Sequence, residues 1–141
     1  MTSTEPNAEV DITRANALDV DLVLGDEEQV LSSQLKATVD PAERAELFWR
    51  AARNQERQAV TWDLRPGRTR DNQPRARKLR SLAHRCAAAA EIEQLRAGAA
   101  TRARHLPDPM PILQLINPSV HGSDHAAQTL LALYTMAAAT A

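Results

Sequence analysis

The sequence predicts an all-α fold, a small bundle of about four helices with a disordered acidic N-terminal arm. Three observations predict it. Leucine and alanine supply most of the apolar residues, and the aromatics are limited to Phe48, Trp49, Trp62 and Tyr134, so helix-favouring residues far outnumber strand-favouring ones. Apolar positions recur at three- and four-residue spacing in separate stretches, the period of a helix face. Asp40-Pro41-Ala42-Glu43 places an N-cap acid, a proline at the first helical position and a glutamate at the third, which together mark a helix start. A length of 141 residues fits one domain.

The elements follow in order. Residues 1–25 are polar and acidic without a sustained period and are read as the disordered arm. Asp26 and Gln29 resemble a capping box, and Val30, Leu31, Leu35 and Val39 then share a face, so a first helix is expected over about 27–38. The helix opened by Asp40 carries Phe48, Ala52, Gln55, Ala59 and Trp62 as its core stripe and stops near Leu64, because Pro66-Gly67 cannot continue it. Residues 65–73 are expected to form a basic linker. Asn72 then caps a long third helix with Pro74 in its first turn and Leu79, Leu82, Cys86, Ala89 and Ile92 turned inward. A Pro-rich, polyproline-like connector at 105–111 leads to an apolar plug, Ile112 to Ile116. Ser123 caps a last helix with Ala127, Leu130, Leu131, Tyr134 and Ala138 on its apolar stripe. The single globular domain thus covers 26–141.

Charge divides the chain more sharply than hydrophobicity. Residues 1–47 carry 11 acids and 3 bases, a net -8; residues 48–104 carry 14 bases and 5 acids, a net +9; residues 105–141 add Asp108 and Asp124, and the total is -1. Such asymmetry points either to a polyanionic partner or to internal neutralisation by the acidic arm. The 15 arginines against 2 lysines suit phosphate and carboxylate geometry, although an Arg- and Ala-rich composition also follows from a GC-rich genome.

Chemistry beyond binding finds little footing. The lone Cys86 excludes an internal disulfide and reads as core filler, and a cytoplasmic location is expected in the absence of a secretory signal. No run of about 18 apolar residues exists to cross a membrane. His121 and His125 flank Asp124, but Gly122 and the Ser123 cap keep them off a common helical face, so no metal is expected. No phosphate loop, nucleophile elbow or paired carboxylate appears, and Glu91 and Glu93 read as surface acids. The expectation is a non-enzymatic protein without cofactors.

The remaining signal is the basic stretch. Arg65, Arg68, Arg70, Arg75, Arg77, Lys78, Arg80 and Arg85 face one acid, Asp71. Helical spacing aligns Arg77, Arg80 and His84 on an outward ridge suited to sequence-independent, salt-sensitive phosphate contact. The alternative is a protein–protein adaptor whose ridge meets an acidic protein surface or its own N-terminal arm.

The order AAAAEIEQLRAGAA, LPDPMPILQLINP and DHAAQTLLALYTM resembles the opening half of the small, CasB-type subunit of type I-E CRISPR Cascade complexes, over about residues 75–136. It shares a helix ending in Leu95-Arg96-Ala97-Gly98, a proline-bearing link, an aliphatic plug and an Ala/Leu helix. It departs where a closing His-Gln is replaced by Thr135-Met136, and the family continues into a second helical bundle. The resemblance implies a CRISPR-associated, antiviral-defence subunit that packs with other protein subunits along an RNA-guided complex. It also implies contact with RNA or single-stranded DNA through Arg75, Arg77, Lys78, Arg80 and Arg96.

Overall fold

Helix formation follows local chemistry most visibly at Asp40. Its backbone is extended, and its Oδ2 accepts a hydrogen bond from the Glu43 N–H at 3.0 Å, with Pro41 opening the helix behind it. The computed structural model describes residues 9–65, 69–99, 106–117 and 122–140, with backbone alone at 69–71, 99 and 140. Among these residues five helices form and no strand: α1 (Ala17–Ala37), α2 (Pro41–Leu64), α3 (Thr69–Ala99), α4 (Met110–Leu113) and α5 (Ser123–Thr140). The all-α bundle expected from composition is the observed fold.

Three boundaries differ from expectation. The first helix starts at Ala17, not near residue 27, so residues 17–25 of the expected arm are helical. Ala17, Val20, Leu24, Leu31 and Leu35 are its buried residues, one stripe that runs straight through Gly25. A turn before it is tied by Asn16, whose Oδ1 accepts from Thr13 N–H at 2.7 Å and whose Nδ2 donates to the Asp11 carbonyl at 2.8 Å. Second, residues 69–73 of the expected linker are helical, because α3 begins at Thr69, while residues 66–68 lie outside the described residues. Asn72 lies inside α3 and donates to the Arg65 carbonyl at 3.3 Å instead of capping. Third, the end of the proline connector curls into α4, where Ile112 and Leu113 N–H groups both reach the Pro109 carbonyl. A proline at a helix start removes no needed donor, so Pro111 is compatible with that turn. The third helix also continues through Gly98 to Ala99.

α2 and α3 form the centre and pack most extensively. Arg44 meets Glu93 near one end and Asp63 meets Arg80 near the other, so the two run antiparallel. Alanine recurs every seven residues on both: Ala45, Ala52 and Ala59 on α2, and Ala76, Ala83 and Ala90 on α3, all buried. Side chains this small let two backbones approach closely. Ala90→Leu should therefore overpack the seam and cost about 1–3 kcal/mol in denaturant unfolding, an effect that a partly exposed site such as Ala97 would not show.

α1 covers one side of α2, and α5 packs on α3. Between them Leu31, Leu35, Phe48, Ile92, Leu113, Leu130 and Tyr134 make a single core. Gly122 at φ 90 precedes α5, a left-handed conformation that glycine adopts without the penalty of a Cβ, and its carbonyl accepts from Ala126 N–H at 3.0 Å.

Two side chains break their expected roles. Glu93, read as a surface acid, is fully buried, and Trp62, read as core, is half-buried beneath guanidinium groups. Glu93 Oε2 pairs with Arg44 Nε at 2.6 Å, and its other oxygen pairs with Arg96. Arg44 also reaches Asp108 at 3.5 Å and donates to the Leu35 and Thr38 carbonyls. Two arginines and two carboxylates thus form a charge-balanced cluster that joins α2, α3 and the 106–109 segment.

Candidate nucleic-acid interface

The nine basic residues read from the sequence separate into three groups. Arg68 and the Arg70 side chain lie outside the described residues. Four others are occupied within the fold. Arg65 lies over the Trp62 ring, its Cζ 3.5 Å from the centroid, with Nη2 3.0 Å from Asp21 Oδ2. That approach is not aligned as a hydrogen bond, so the attraction is electrostatic. Arg80 pairs with Asp63, and the hydrogen bond to that carboxylate, more than the added Coulomb attraction, raises the Arg80 pKa.

Arg85 and Arg96 hold the connector. Arg85 Nη1 donates to the Ile116 carbonyl at 2.9 Å and the Leu113 carbonyl at 3.3 Å; Arg96 Nε donates to the Leu106 carbonyl at 3.2 Å while its Nη1 meets Glu93. The Tyr134 hydroxyl donates to the Pro107 carbonyl, and burial raises the Tyr134 pKa, which keeps that donor protonated. The candidate roles of Arg85 and Arg96 as nucleic-acid ligands are thus set against structural ones: they donate to part-buried carbonyls of the connector, Leu106, and of the segment after it, Leu113 and Ile116.

The third group faces out. Arg75, Arg77 and Lys78 are exposed on the N-terminal half of α3 and form no ion pair among the described residues. Arg75 Cζ stands 4.8 Å from the Trp62 centroid, so Arg65 and Arg75 share one ring. His84, about two turns beyond Arg77, is exposed and borders an open groove of about 400 Å³ between α2 and α3. Ala52, Ala83 and Ala87 line it as well, with Trp49, Arg53, Arg57 and the acid Glu56 along the α2 side.

The α2 arginines were outside the sequence-derived site, although Trp49 with Arg50, Arg53 and Arg57 is an aromatic set among cations. They are also where the acidic N-terminal segment lands. Arg53 Nη2 meets Glu9 Oε2 at 2.5 Å, and Arg57 donates to the Val10 carbonyl. The acids of α1 instead face the amides and hydroxyl of α2: Asn54 donates to Glu27 at 2.9 Å, Gln58 to Glu28, and Thr61 to Asp21 at 3.2 Å. Part of the charge asymmetry is therefore resolved inside the molecule.

No metal-binding cluster of three or more His, Cys, Asp or Glu side chains occurs among the described residues, and His121 lies outside them. Among the described residues no helix is long and apolar enough to cross a membrane. No family model, curated protein sequence or solved structure matches the chain.

Proposed function

We propose that this chain is a non-enzymatic helical subunit that contacts nucleic acid without sequence preference through the outer face of α3. The observation that carries the reading is the trio Arg75, Arg77 and Lys78, exposed on one helix with no acid paired to it among the described residues. Cations so placed neutralise phosphates and release counterions. His84 and Trp49 beside the α2–α3 groove extend the surface, and an exposed aromatic next to arginines can stack on an unpaired base. Leu133 at 57% and Met136 at 66% exposure on α5 leave an apolar surface for a protein partner. The helix, connector and helix order over 75–136 extends the proposal to a place within an RNA-guided complex.

Binding of the purified chain to single- and double-stranded oligonucleotides across a salt series tests this reading. Affinity should fall steeply as salt rises. Absence of binding at low salt, or affinity indifferent to salt, rejects it.

A second reading is favoured by Glu9 on Arg53 and Val10 on Arg57: the N-terminal segment shields part of the basic surface. The Arg53–Glu9 pair has both side chains about two-thirds exposed, and such pairs hold weakly, so a polyanion would displace it. Deleting residues 1–16 leaves α1 whole and should raise oligonucleotide affinity. An unchanged affinity removes the shielding role.

A further inference from the structure

Away from the outward cations of α3, a half-open cavity of about 160 Å³ that the nucleic-acid reading does not use is lined by α1, α2, α3 and α4. Its inner walls are apolar and buried, Leu31, Leu35, Phe48, Ala51, Ala89 and Leu113, and half-buried Glu28 and Arg85 border it. Ser32 and Gln114, both exposed, stand at its mouth. A space of this size is of the order that accepts one small ring.

One polar group in the wall is unsatisfied. Gln55 is 6% exposed, lines the cavity, and its Oε1 is buried with no hydrogen-bond partner. A buried acceptor left unpaired is costly, and native structures rarely retain one without a reason. The Cys86 thiol on the same wall does not supply charge: burial pushes it up to about 11, against smaller opposing effects of Arg85 and of a hydrogen bond from Gln55. With Glu28 engaged by Gln58 and Arg85 by the Leu113 and Ile116 carbonyls, the wall leaves one neutral acceptor, Gln55 Oε1, open to a ligand. A charged ligand would meet Glu28 and Arg85, opposite in sign and already engaged, and so would find no free counter-charge to offset its desolvation. A pure hydrocarbon would leave the acceptor unmet.

We infer that this cavity is a binding site for a small neutral molecule with one flat ring or short apolar body and one O–H or N–H donor, which the Gln55 carbonyl oxygen receives. Shape and apolar contact supply affinity, and Gln55 supplies selection for the donor.

Phenol and toluene are suitable probes, since they share a ring and differ in the donor. In titration calorimetry, or as a rise in melting temperature, phenol should bind the full chain roughly 3- to 10-fold more tightly than toluene, the range expected for one neutral hydrogen bond. Gln55→Met conserves volume, removes the acceptor and should erase that preference while the protein remains folded by circular dichroism. Ala51→Leu should fill the cavity and abolish binding of both probes. If Ala51→Leu fails to fold, Gln55→Met alone decides. The inference is overturned if neither probe binds the native chain at millimolar concentration, or if phenol keeps its advantage over toluene in Gln55→Met. Neither result touches the oligonucleotide measurements.

Discussion

Arg44→Ala is expected to destabilise the fold by about 3–5 kcal/mol, the largest effect of any single change outside the aromatic core. The replacement strands Glu93, which has no exposed surface and whose Oε2 accepts from Arg44 at 2.6 Å. Carbonyls of Leu35 and Thr38 lose a donor in the same step. Because total stabilities of small domains are about 5–15 kcal/mol, the variant should melt on the order of 10 °C lower and unfold at clearly lower urea. Glu93→Met should be nearly as damaging, since it leaves Arg44 buried beside Arg96 without their shared carboxylate. The double change Arg44→Met with Glu93→Met should cost less than the sum of the singles, because it removes both buried charges together. Additive losses would show that the two side chains do not act as a pair.

The second large effect concerns binding. Replacing Arg75, Arg77 and Lys78 together by alanine should remove most oligonucleotide affinity at low salt while leaving the melting temperature nearly unchanged. These side chains are exposed and carry no ion pair among the described residues, and surface changes of this kind usually stay within about 0.5 kcal/mol in stability each. Arg85→Ala supplies the contrast. It frees the Leu113 and Ile116 carbonyls, so it should lower stability more than it lowers affinity.

How far the sequence could be read depended on whether a residue's role was local. Asp40 acts on Glu43 three positions away, and that cap was legible as a four-residue signal. The helical class followed from composition and period in the same way. The start of α1 was harder, because acids and Gly25 interrupt the sequence around Ala17, Val20 and Leu24 even though those three keep helical spacing with Leu31 and Leu35. The alanine heptads of α2 and α3 were visible only as composition, since their meaning lies in two helices meeting.

The candidate site shows the same limit more strongly. A run of arginines looks uniform in sequence, yet Arg85 and Arg96 turn toward connector carbonyls 28 and 10 residues distant, while Arg77 and Lys78 turn out. Helical phase alone separates Arg77 from Leu79, but it cannot anticipate which carbonyls a connector will leave needing a donor. Glu93 carried a usable signal: it falls at helical spacing from Cys86, Ala89 and Ala90, all buried, and Arg44 falls likewise from Phe48 and Ala51. Opposite charges in core register on two helices are the mark of a buried pair.

The proposed role of Arg75, Arg77 and Lys78 is to meet phosphates. Its most direct test is the slope of log affinity against log salt for a single-stranded oligonucleotide, measured for the native chain and for the triple alanine variant. Each phosphate neutralised contributes about 0.7 to that slope on a single strand, so the three cations together account for about 2. The native chain should then lose on the order of 20-fold in affinity through these three alone over a fourfold rise in salt, and the variant's slope should be shallower by about 2. Equal slopes for the two proteins would contradict the account.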